Sequence, residues 1–395
     1  MSFVIVLTLI KDIYKSWVVE IMATKVNSIE VKKINRNAIY NFLYKHEPIS
    51  IQEIAYTLNM SLPTVTQNIK ELQERGLVIE TGLFESTGGR KAKAISYNSS
   101  AKYAVGLDIT RNHVSIVIID LSGKLLKNFR IQYPFKNHKE YFKGVGDLVT
   151  KLVSEAGINE ANILGVGIAL PAILSDDRQT VSYATVIDFQ GGSISAFQEF
   201  IPYPIILSND ANAGGFAEMW REDSNENVAY LSLNNSVGGS IIIAKNIYDG
   251  QNQRGGEFGH MTIVPNGREC YCGQKGCVDA YCSAKLLSDS TNGNIAEFFR
   301  LLKLNKEPQK SLWNEYVLHL IVAINNLRML FDCKVILGGY AGAYMDEYIG
   351  ELRKMVAKYN TFEVDGNYLH ACKYKLEATA VGAALAHVDQ FIKNV

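Results

Sequence analysis

The chain has 395 residues, with 40 Lys+Arg against 40 Asp+Glu, 47% hydrophobic and 20% charged residues. That length suits two or three domains with ample core, and the composition excludes a disordered chain and a uniformly basic nucleic-acid coat. Charge is uneven, however: residues 22–100 hold ten Lys/Arg and seven Asp/Glu, so nucleic-acid contact is expected of that segment alone.

Phe3–Ile10 is too short to span a bilayer, and it has neither a basic residue ahead of it nor a small-residue cleavage site behind it. A cytoplasmic protein with no membrane partner is expected. Residues 1–21 read as an extension, disordered or an upstream mis-start, and Met22 opens the polar stretch leading into the first domain.

Within 22–100, Ile34, Ala38, Ile39, Phe42 and Leu43 recur at helical spacing until Pro48. Ser50 and Glu53 form a capping box for a second helix with Ile51, Ile54, Ala55 and Leu58 on its buried face. After a turn at Asn59-Met60, Ser61 caps a third helix with Pro63 in its first turn, the stripe Val65, Ile69, Leu72, and Gly76 at its end. This spacing predicts a helix-turn-helix, with Thr64, Gln67, Asn68 and Lys70 on or beside the face turned from the stripe, where short polar groups reach base edges. Strands at 77–79 and 92–97 flank Gly88-Gly89 as a wing, whose Arg90, Lys91 and Lys93 suit phosphate or minor-groove contact. Operator DNA is the expected partner, bound by a homodimer or higher homo-oligomer. The competing reading is a small protein-interaction domain with a solvated basic loop.

Residues 101–395 read as two related α/β halves around a ligand cleft. Strand-turn-strand patterns at 105–119 and 228–244 lie about 120 residues apart, and helices near Lys139–Glu155 and Ser311–Phe331 are expected to cover the sheets. His260, Cys270, Cys272 and Cys277 offer one imidazole and three thiolates in a Gly-rich loop, the closed tetrahedral set of a structural zinc. Ahead of this loop stands Glu257, and Asn209-Asp210-Ala211-Asn212 ends an apolar strand. Carboxylates and an amide there suit vicinal hydroxyls, although Asn-Asp-Ala-Asn also reads as a helix cap.

Gly165-Val166-Gly167-Ile168-Ala169-Leu170-Pro171, Asn209-Asp210-Ala211-Asn212, Gly255-Gly256-Glu257-Phe258-Gly259-His260 and the Cys270…Cys277 loop resemble the ROK (repressor, open reading frame, kinase) family from about Tyr103 onward. The preceding winged helix is similar to that of the family's repressor branch, which includes the xylose and N-acetylglucosamine repressors. The resemblance implies an actin-like, two-lobed sugar kinase fold. It assigns Asn209, Asp210, Glu257, His260 and, with a shorter side chain than usual, Asp279 to sugar hydroxyls, and gives Asp210 the position of the kinases' catalytic base. The family's Asp-x-Gly-Gly-Thr phosphate loop is represented only by Asp108, followed by Ile109-Thr110-Arg111. Of the second loop only Gly238-Gly239 survives, while Gly338-Gly339 remains similar to the adenosine loop. The expectation is therefore a transcriptional repressor that senses a sugar or sugar phosphate in a degenerate kinase cleft. The alternative is an ATP-dependent sugar kinase working through Asp210.

Overall fold

The structure is a computed structural model that describes residues 28–84, 92–220, 222 and 226–395. It divides into two compact units: one runs to Asn98 and includes the last four residues, Ile392–Val395, and the other spans Ser99–Phe391.

In the first unit, helices α1 (Ser28–Lys45), α2 (Ile51–Thr57) and α3 (Leu62–Glu74) precede an antiparallel hairpin of β1 (Val78–Leu83) and β2 (Lys93–Tyr97). Both predicted caps form, with Ser50 Oγ accepting from the Glu53 N–H and Ser61 Oγ from the Thr64 N–H. Gly76, at φ 70°, lets the chain leave α3 for the wing. Val65, Ile69 and Leu72 are buried, as are Ile39, Leu43 and Ile54 on the two helices that α3 packs against. Near the chain's end, Arg36 Nε donates to the Val395 carbonyl at 3.1 Å and Asn41 Nδ2 to that of Ile392 at 3.2 Å.

Gln67 and Lys70 lie on the exposed face of α3, with Thr64 half-buried beside it. Asn68 needs a correction: it is 3% exposed, and its amide donates to the Thr64 carbonyl at 2.8 Å. A helical step of 100° places it close enough to the Val65/Leu72 stripe for α1 and α2 to cover it. Lys93 is paired with Glu80 across the hairpin at 2.8 Å. Arg90 and Lys91 lie outside the described residues.

The second unit holds two five-stranded sheets of identical topology. The first is ordered β5-β4-β3-β6-β9, from Leu125–Gln132, His113–Asp120, Tyr103–Ile109, Ile163–Leu170 and Ile205–Asn209. The second is β12-β11-β10-β13-β14, from Asn246–Ile247, Val237–Ile243, Val228–Leu233, Lys334–Gly338 and Leu369–Ala371. Each begins as an antiparallel meander and continues with two parallel strands. The internal duplication read from the strand-turn-strand spacing is thus realised strand for strand. Helix α4 (Lys139–Glu155) completes the core of the first lobe. Further on, β7 (Ile173–Leu174) and β8 (Val181–Tyr183) form a hairpin, while α5 (Asp210–Met219) follows β9 directly and packs on β10 and β11. Helix α6 (Gln309–Phe331) covers the second sheet, and α7 (Ala378–Lys393) ends the chain.

Three glycines set how closely the central helices approach. A Cβ on Gly106 of β3 would stand 1.8 Å from the Ala380 carbonyl oxygen, one on Gly167 of β6 1.9 Å from that of Ala383, and one on Gly382 of α7 1.7 Å from that of Ala213 in α5. The obstructing atoms are backbone, so the helices would have to separate. Gly167→Ala is expected to destabilise the protein by about 1–3 kcal/mol. A thermal melt showing a midpoint unchanged within error would contradict this packing.

Candidate functional site

A cavity of about 490 Å3 opens between the lobes, lined among others by Asn209, Asp210, Gly238, Gly239, Arg254, Glu257, His260 and Tyr271. Four sequence-predicted sugar residues therefore converge on one space. Asn209 forms the helix cap read for it: its Oδ1 accepts from the Asn212 N–H at 3.0 Å as the N-cap of α5, while its Nδ2 donates to the Ala172 carbonyl at 3.2 Å. The cap fixes the start of α5, and with it the neighbouring Asp210 carboxylate.

Asp279 differs from the other four. It is 7% exposed, its Oδ1 accepts from the Val237 N–H at 2.6 Å, and it is absent from the cavity lining. Its shorter side chain is engaged in holding the loop before β11. Sequence reasoning passed over Tyr271 and Arg254. Tyr271 Oη lies 3.2 Å from His260 Nε2, and burial raises the pKa of Glu257, opposed by the charges of His260 and Arg254. Their positions, between two metal-loop cysteines and directly before Gly255-Gly256-Glu257, were the available signals.

Burial raises the pKa of Asp210 to about 7, helped by the negative charges of Asp108 and Glu257 and opposed by a backbone N–H at Ala211. Burial likewise raises Asp108 to about 6, with Arg130 opposing. The source of that cation is strand register, since Asp108 pairs with Ser115 on β4, and Ser115 with Arg130 on β5. Arg130 also donates to Tyr340 Oη at 2.7 Å and lies 4.7 Å from that ring's centroid. Tyr340 follows Gly338-Gly339 at the end of β13, so this contact crosses from one lobe to the other. Asn234, standing where the second phosphate loop would be glycine-rich, accepts from the Tyr340 N–H at 2.9 Å through Oδ1. Gly239 serves packing, since a Cβ there would lie 2.2 Å from the Phe258 ring.

The ligand atoms of His260, Cys270, Cys272 and Cys277 all lie within 4.8 Å of one another. Cys272 and Cys277 sulfurs are 3.8 Å apart, and Cys270 Sγ is 3.9 Å from His260 Nδ1. A tetrahedral ion with bonds of roughly 2.3 Å to sulfur requires edges of about 3.8 Å, so the four residues fit a metal of that geometry. With Nδ1 turned to the cluster, His260 Nε2 faces Tyr271 and, at 4.0 Å, Glu257.

Two family models match the chain: the ROK family over residues 104–389 and a winged helix-turn-helix DNA-binding domain over residues 33–79. The chain belongs to the ROK family. It is 26% identical over 319 residues to the xylose repressor of Bacillus subtilis (strain 168), spanning 78% of this chain and 82% of that protein. It is also 26% identical over 252 residues to the N-acetylglucosamine repressor of Escherichia coli O157:H7, spanning 63% and 62% respectively. Among solved structures, a ROK family transcriptional regulator described as a homologue of the E. coli Mlc protein superposes with a TM-score of 0.69 at 18% identity, over 92% of this chain and 97% of that one. The fold is accordingly a winged helix-turn-helix joined to the two-lobed, actin-like ROK fold. Among the described residues no helix is long and apolar enough to cross a membrane.

The raised carboxylates make stability depend on pH. A carboxyl whose folded pKa lies above its unfolded value stabilises the fold while protonated, and that contribution is lost as pH rises through the folded pKa. For Asp210 the window runs from about 4 to about 7. Asp210→Asn should therefore melt higher than the wild type at pH 8, with the gain shrinking toward pH 5. A calorimetric gain that does not vary with pH would contradict a raised Asp210.

Proposed function

We propose that this protein is a sugar-responsive transcriptional repressor whose winged helix binds operator DNA and whose interlobe cavity binds a sugar or sugar phosphate. The observation that carries the reading is an asymmetry within one cleft. On the hydroxyl-binding side, Asn209, Asp210, Glu257 and His260 converge on an open cavity. On the phosphate side, Arg130 and Tyr340 join across the lobes, and Asn234 holds the turn that carries Tyr340. The loop after Asp108 has no glycine that would let a phosphate approach the backbone. Two repressor relatives, named for xylose and for N-acetylglucosamine, support the DNA-binding role and leave open which sugar this chain reads.

In this reading Asp210 accepts a hydrogen bond from a sugar hydroxyl, and Glu257 and His260 Nε2 fix neighbouring hydroxyls. Asp210 begins α5, α5 packs on α7 at Gly382, and the end of α7 belongs to the DNA-binding unit. Sugar must bind one arrangement of the lobes better than another for this route to carry a signal. Gln67, Lys70 and Thr64 would face base edges, with the wing on the backbone, and two copies would occupy the two halves of an operator. DNA affinity should accordingly fall steeply with salt.

One observation favours the kinase alternative: a carboxylate with a pKa near 7 is well placed as a general base. Incubating the protein with ATP and a panel of xylose, glucose and N-acetylglucosamine separates the two. The repressor reading expects no sugar phosphate from wild type, sugar-dependent change in operator binding, and a tenfold or greater loss of sugar affinity in Asp210→Asn, equivalent to about 1.4 kcal/mol or more. ATP-dependent product that vanishes in Asp210→Asn would establish the kinase.

The metal is proposed to be zinc in a structural role, because four protein ligands leave no open position. It would tie the Cys270–Cys277 loop to His260 and so hold the cavity wall. Elemental analysis should find one zinc per chain, and Cys272→Ser should lose zinc and sugar binding together. Full sugar affinity in zinc-free protein would refute that role.

A further inference from the structure

A second cavity, of about 420 Å3, adjoins the first and shares Ile173, Tyr183 and Arg254 with it as lining residues. The first cavity alone, at about 490 Å3, falls in the range of roughly 300–1,000 Å3 that accommodates a whole small ligand. Room therefore continues beyond the place where one sugar would meet Asp210. The walls of this extension are held in place. One is the β7–β8 hairpin and the other is the loop from Asp249 to Gly255, which closes on itself through Gly255 N–H to the Asp249 carbonyl at 2.7 Å. Gln253 Nε2 to Asp176 Oδ1 at 3.2 Å and Arg178 to Asp249 at 3.0 Å join the two walls, and Asn212 of α5 ties Asp249 at 3.2 Å.

The chemistry of the lining is specific. Tyr183, 49% exposed, is an aromatic ring left partly open at the junction of the two cavities. Beyond it stand Ser182, Gln251, Asn252 and Asp176. An aromatic face beside hydroxyl and amide groups offers an apolar surface for ring C–H groups and paired donors and acceptors for hydroxyls. A phosphate or carboxylate would find one cation there, Arg254, but would also meet the Asp176 carboxylate.

We propose that this extension is a second sugar subsite, so that the effector is a neutral disaccharide or short oligosaccharide. One unit engages Asp210 and Glu257, and the next packs on Tyr183. The proposal rests on the sugar-sensing reading of the same cleft and narrows its ligand class.

Titration calorimetry on the full chain tests it, with xylose, glucose and N-acetylglucosamine compared with xylobiose, cellobiose, maltose and diacetylchitobiose. At least one disaccharide should bind tenfold or more tightly than its own monosaccharide. Tyr183→Ala should bring that ratio of dissociation constants close to one, and Tyr183→Phe, which keeps the ring, should preserve it. Asp210→Asn should weaken both ligands of the pair. Monosaccharides binding as tightly as every disaccharide, or a ratio unmoved by Tyr183→Ala, would overturn the subsite and leave the sugar reading standing. Preference for a glucose phosphate ester, lost in Arg254→Ala, would overturn it in favour of an anionic effector. Failure of every saccharide to bind, with a normal melt and zinc content, would remove the sugar reading and the subsite with it.

Discussion

Two neighbouring carboxylates, the buried Asp108 and the half-buried Asp210 that lines the cavity, are the constraint on which the rest of the site depends. Burial raises the cost of ionising both, and the Asp108 charge raises it further for Asp210. The two lobes answer this cost differently. Asp108 is met by Arg130, brought alongside through the register of three adjacent strands and held by Tyr340 from the other lobe. Among the described residues no cation offsets the burial of Asp210, which lines the open cavity beside Glu257 and His260. In the proposed sugar-sensing role, a ligand hydroxyl donating a hydrogen bond to Asp210 would supply what the protein withholds.

The same segment that places Asp210 also connects it to the remainder of the unit. Asn209 closes β9 and caps α5, the helix that Asp210 begins. Gly382 lets α7 lie against Ala213 of α5, and Gly106 and Gly167 let α7 approach the first sheet. Helices packed at backbone distance move as bodies, since no side chain between them can absorb a shift. The last residues of α7, with Ile392–Val395, group with the helix-turn-helix unit, where Arg36 and Asn41 hold their carbonyls.

Much of this was legible in the residues. Caps, turn glycines and apolar spacing located the three helices described in the first unit, because those signals are local. The duplicated strand-turn-strand pattern anticipated two sheets of the same order, since each half carries its own complete set of strands. The His260/Cys270/Cys272/Cys277 set could be read because metal geometry constrains spacing along the chain. Pairings between distant segments could not. Nothing adjacent to Asp108 announces Arg130, and nothing near Tyr340 announces its partner in the other lobe. Asn68 shows the same limit at short range: its step around α3 fitted the exposed flank, and only the packing of the neighbouring helices decided that it is buried. Tyr183 and Arg254 gained significance only when two cavities were found to share them.

The central claim is that one molecule couples sugar in the cleft to DNA at the winged helix. Thermodynamic reciprocity gives its most direct measurement: the dissociation constant for the sugar, determined with and without saturating operator DNA, alongside the operator constant with and without saturating sugar. The account predicts that the two ratios agree and differ from one by roughly fivefold or more, with no further change on adding ATP. A sugar affinity indifferent to operator DNA, in a protein that binds both, would contradict it.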